Sequence, residues 1–85
     1  MQRVTRRIVY PEGDIQEIEH ALSINQLVGL NGEPLPHPLP RGAPRSIVYR
    51  VRRMSRQALK GEDIIDYQLE LVWRDEVESI MEEDL

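Results

Sequence analysis

The sequence predicts a small α+β domain, an antiparallel sheet of three to five strands with one or two short helices against its apolar side. Three observations lead there. Residues 47–73 alternate apolar and polar side chains on both sides of a central glycine, as a long hairpin does. Two capping-box patterns, Asp14 with Glu17 and Asp75 with Glu78, each open a run of apolar residues at helical spacing. The chain has 85 residues and no cysteine, so it forms one domain (1–85) without disulfides, and a half-apolar sheet must be covered from within it. An all-β, barrel-like sheet is the alternative, and it holds if residues 16–24 form a strand.

The hairpin, over about residues 46–57 and 62–73, is the strongest element. Ile65, Tyr67, Leu69, Leu71 and Trp73 share one parity while Asp66, Gln68 and Glu70 take the other. Ile47, Tyr49 and Val51 alternate in the same way with Val48, Arg50, Arg52 and Met54. Leu59-Lys60-Gly61 reads as a three-residue loop ending in a left-handed glycine. That loop sets Ala58 opposite Glu62, and with it Val51 opposite Leu69, Tyr49 opposite Leu71 and Ile47 opposite Trp73 on a buried face. The other face pairs Val48 with Val72, Arg50 with Glu70, Arg52 with Gln68 and Met54 with Asp66. Each cross-strand pair contributes roughly 0.2–1 kcal/mol, and a one-residue slip would mix the two faces.

Residues 3–10 place Val4, Ile8 and Tyr10 on one parity, broken by Arg6. They read as a strand ending at Pro11, set at the sheet edge because Arg3 and Arg7 line its other side. Pro11-Glu12-Gly13 is a turn. Ile15, Ile18 and Leu22 then favour a short helix over 14–22, although Ile18, His20, Leu22 and Ile24 also fit a strand. Asn31-Gly32 predicts a two-residue hairpin loop, with Pro34 confining the return strand to an edge. Five of the eleven residues from Pro34 to Pro44 are proline, which makes 34–44 an extended connector. The acidic C-terminal segment, 75–85, holds the second helix at 75–83, with Val77, Ile80, Met81 and Leu85 as its apolar stripe. Glu82, Glu83 and Asp84 oppose the helix dipole, so its last turn frays.

Charge is unevenly laid out. Residues 1–40 carry three arginines against five acids, residues 41–60 carry six arginines and Lys60 with no acid, and residues 61–85 carry ten acids against Arg74. The net charge of −4 selects no partner by itself. The hairpin register instead pairs the basic block with the acidic one.

Several functions are disfavoured. Apolar runs are too short for a membrane span or a secretory segment, so the expectation is a soluble cytoplasmic protein with no membrane contact. His20 and His37 stand in separate segments without metal-ligand spacing, and no metal or cofactor is expected. Ser23, Ser46, Ser55 and Ser79 lack a nucleophile elbow, and Asp63 and Asp66 fall on opposite strand faces. With little volume for a water-excluding site, the chain reads as a non-enzyme with no catalytic residue.

What remains is recognition. The expected function is a small protein-interaction module or structural subunit, binding a protein partner or a second copy of itself. It would act through Val77, Ile80, Met81 and Leu85 or through a sheet edge. The alternative is a nucleic-acid-associated protein using Arg41, Arg45, Arg53, Arg56 and Lys60. It ranks second because the aromatic residues needed for base stacking fall on the face expected to be buried.

Overall fold

In the computed structural model, which describes residues 2–36, 47–73 and 75–76, the protein is a single curled sheet of five strands. They are β1 (Arg3–Val9), β2 (Ile15–Ile18), β3 (Leu27–Gly29), β4 (Val48–Leu59) and β5 (Glu62–Val72), in the spatial order β2-β1-β5-β4-β3. All neighbours are antiparallel except β1 and β5, which run parallel. The expected α+β architecture is therefore corrected to all-β, the alternative that rested on residues 16–24.

The helix expected over 14–22 is replaced by β2 and the loop after it. Pro11-Glu12-Gly13 reverses the chain: the Tyr10 amide donates to the Asp14 carbonyl at 2.8 Å, and Gly13 takes a φ of 101°. This lays Ile15–Ile18 alongside β1, where the sheet satisfies their backbone, so a weak helical pattern yields to tertiary pairing. Gln16 obscures the alternation. It lies across from Ile8, and its side chain reaches the Tyr10 hydroxyl at 2.9 Å and the Asn31 carbonyl at 2.9 Å. Of the second expected helix only Asp75 and Glu76 are among the described residues, and most of the proline connector also lies outside them.

β1 is not an edge strand. It is held on both sides, and its two outward arginines meet acids of β5 rather than water alone. Arg7 grips Asp66 with two parallel bonds of 2.7 and 2.9 Å, a geometry that raises the guanidinium pKa chiefly through that hydrogen bond. Arg3 approaches Glu62 at 3.9 Å.

The hairpin shows where sequence patterning holds and where it fails. From Val48–Val72 to Val51–Leu69 the register is as the apolar pattern requires, including Arg50 opposite Glu70. Beyond it, Arg52 is an extra residue: Val51 faces Leu69 but Arg53 faces Gln68. The ladder then continues one step out of phase with expectation, with Met54 opposite Tyr67 and Leu59 opposite Glu62. The loop is accordingly two residues, Lys60-Gly61, with the positive φ (79°) only at Gly61. The Asn31-Gly32 turn differs in the opposite sense. Gly29 donates to the Glu33 carbonyl at 2.8 Å around a three-residue loop, and Gly32 is its left-handed third member at φ 86°.

The main core lies on one face of the sheet. It joins Ile8, Tyr10, Ile18, Leu22, Val28, Tyr49, Val51, Tyr67 and Leu69, with the Tyr10 and Tyr49 rings edge to face at 5.2 Å. Val48, Val72 and Leu27 form a smaller cluster on the opposite side, with Leu35 packed against it. The expected burial of Ile47, Leu71 and Trp73 is overturned: they are exposed, Trp73 to 72%. Ile47 and Trp73 lie past the last ladder pair, Val48–Val72, whereas Leu71 is paired with Tyr49 and faces the open notch it shares with Trp73.

Candidate functional site

β4 is flanked unequally. On the β5 side it is paired over its whole length. On the other side β3 covers only Val48–Arg50, after which Asn25 and Gln26 close the edge at Val51. The Asn25 amide donates to the Val51 carbonyl at 2.8 Å, and the Val51 amide donates to the Gln26 carbonyl at 2.9 Å. Asn25 adopts a left-handed φ of 70°, and this turn brings the chain onto the edge at Val51. Past that point Arg53–Leu59 has no strand neighbour on this side among the described residues, and every side chain from Arg52 to Leu59 is exposed. Seven residues of extended backbone span about 23 Å at the usual strand rise.

The bulge at Arg52 marks this boundary. A bulge bends the strand and re-aims the residues beyond it, which places Arg53, Ser55, Gln57 and Leu59 on one face of the free arm and Met54, Arg56 and Ala58 on the other.

Electrostatics separates this arm from the rest of the sheet. Arg50, at the covered end, bonds to Glu76 at 2.6 Å and to Glu70 at 2.8 Å, and both bonds raise its pKa. Arg56 pairs with the buried Asp63, which also accepts from the Gln2 amide at 2.9 Å. Arg53 donates only to the neutral amide of Gln68, at 2.7 Å. Arg52, Arg53 and Lys60 have no carboxylate partner among the described residues.

Of the expected basic patch, Arg53 and Arg56 lie along this arm and Lys60 in the loop that ends it, so the three are strung out rather than clustered. Arg41 and Arg45 lie outside the described residues, as do Val77, Ile80, Met81 and Leu85. The expected facing of Arg52 to Gln68 and Met54 to Asp66 is corrected by the bulge, to Arg53–Gln68 and Ser55–Asp66. Sequence reasoning missed Arg52, although a signal was there. The apolar pairs require one register and a two-residue Lys60-Gly61 loop requires the next, so a single extra residue must sit between them.

A shallow notch of about 540 Å³ lies where β1 leaves the sheet beside β5, lined by Tyr10, Pro11, Arg52, Gln68, Leu71 and Trp73 among others. No group of three or more His, Asp or Glu side chains is arranged to hold a metal ion among the described residues. Likewise, no helix among them is long and apolar enough to cross a membrane.

These features define a small, strand-rich protein in which the basic far half of β4 has no strand beside it among the described residues. The chain belongs to a family described as an uncharacterised Treponema protein, whose match covers residues 7–80. No match was found among curated proteins or among solved structures.

Proposed function

We propose that the protein is a non-enzymatic interaction module, or a structural subunit, that accepts an extended segment of a protein partner on the free edge of β4. The observation carrying this reading is the outer edge of Arg53–Leu59, which has no strand beside it among the described residues and begins where Asn25 and Gln26 cease to close it. Exposed strand edges are templates for pairing, and sheet proteins commonly shorten or cover them. Here, among the described residues, the longest strand has no neighbour on this side for more than half its length. Main-chain bonds to an added strand would supply affinity, and the alternating side chains would supply specificity.

The test uses the whole chain and a random decapeptide library. Selected peptides are expected to slow amide hydrogen exchange within Arg53–Leu59 and to lose that effect when proline is placed at alternate peptide positions. Selection that yields no binder, or binders protecting only other amides, would overturn the reading.

A further inference from the structure

Resting on that reading, we infer that the strand taken up by β4 is a protein segment of about eight residues with carboxylates near its two ends and uncharged residues between them.

The cations of the arm that have no carboxylate partner among the described residues stand at its ends. Arg52 and Arg53 stand where the edge begins, and Lys60 stands in the loop where it finishes. Between them the side chains are Met54, Ser55, Gln57, Ala58 and Leu59, together with Arg56. Arg56 is already neutralised by Asp63, which is 6% exposed, so a carboxylate opposite the centre would meet a closed ion pair and gain nothing. A carboxylate at either end meets an exposed cation without one.

The pattern also decides among occupants. A second copy pairing antiparallel over the whole arm would set Arg56 against Arg56 and Arg52 against Lys60 of the other copy, and like charges across a strand pair repel. The edge is thus guarded against itself while open to an acid-ended strand. A nucleic-acid strand would use the same cations, but stacked bases would find no aromatic residue along the arm itself, the exposed Trp73 standing in the notch beside Arg52. An incoming strand running antiparallel to β4 continues the line of β3, which already has that direction on this edge.

The experiment compares three blocked octapeptides of serine and threonine: one with glutamate at both ends, one with the two glutamates at its centre and one with lysine at both ends. A single-stranded oligonucleotide and the protein alone over a range of concentrations complete the set. Binding is read by fluorescence anisotropy and the site by amide exchange. The acid-ended peptide is expected to bind about fivefold more tightly than the acid-centred one, to protect Arg53–Leu59, and to weaken as salt is raised. Arg52→Gln, Arg53→Gln and Lys60→Gln together, all three exposed, are expected to abolish the preference without altering the melting temperature.

Equal binding and protection by all three peptides would overturn this inference while leaving the edge reading intact. Peptides that protect nothing would overturn both. Self-association that protects Arg53–Leu59 in the absence of peptide, or an oligonucleotide that displaces the acid-ended peptide more effectively than unlabelled peptide does, would also overturn it.

Discussion

The two halves of β4 share one strand and one partner, β5, yet they live in different surroundings. Val48, Tyr49 and Val51 are 1%, 6% and 0% exposed, whereas Met54 is 52% exposed and Leu59 43%. Apolar character alone does not account for this, since Met54 and Leu59 are hydrophobic side chains as Val48 is. The difference is cover: β3 and the Asn25–Gln26 turn close the edge of the first half, and the second half has no such neighbour among the described residues. Burial of a strand residue is thus set by what lies beside and above the strand, since both halves are paired to β5 on either side of the bulge.

The sharpest way to break the comparison is to truncate one side chain in each half. Val51→Ala removes two methyl groups from a fully buried site and is expected to cost about 2 kcal/mol, whereas Met54→Ala is expected to stay within about 0.5 kcal/mol. Urea denaturation of both variants checks this, and equal losses would mean that the second half is covered after all. Next in size is Gly61→Ala. A Cβ there meets nothing within 4 Å, so the expected loss of about 1 kcal/mol comes only from the left-handed backbone. It should appear as faster unfolding or a lower melting temperature with the register intact by cross-strand NMR contacts.

The smallest effect concerns pH. Burial lifts the Tyr49 hydroxyl above the ordinary phenol value of 10.0, and it does the same for Tyr10. As pH rises past that value the unfolded chain releases these protons first, so it binds fewer than the native state and stability falls. The contribution is therefore complete below about pH 10 and is lost above it. Tyr49→Phe is expected to leave the urea midpoint unchanged near neutrality and to make its alkaline decline shallower. An unchanged alkaline decline would show that Tyr49 is wet in the folded protein.

The same contrast explains how much was legible in the sequence. Where both strands carry apolar residues, from Val48 to Val51 and Leu69 to Val72, the pattern has only one good register and the structure adopts it. Past Arg52 the β4 side chains are polar or isolated, and a shift by one residue costs little, so the turn and the bulge decide instead. The two glycine loops exchange the lengths that sequence predicts for them, because a left-handed glycine ends both a two-residue and a three-residue loop. β2 is hidden for a different reason. Gln16, which shares a parity with the buried Ile18, is exposed and polar and serves the Tyr10 hydroxyl, a partner that only the folded chain brings near. Of the candidate site, the cations Arg53, Arg56 and Lys60 were legible as a basic block. The bare edge was not, because the absence of a neighbouring strand leaves no mark on the residues that lack it.

β1 and β5 lie side by side although Arg7 and Asp66 are 59 positions apart along the chain. Loop-closure entropy must be met before that contact returns any free energy, so formation of this pair is slow relative to the local hairpins. Ile8 and Tyr67 can become neighbours only when nearly the whole span between them has been synthesised. A chain halted before Glu62 would leave the β1–β2 hairpin with nothing to join it to β4, and such a fragment would be exposed to aggregation and to proteases.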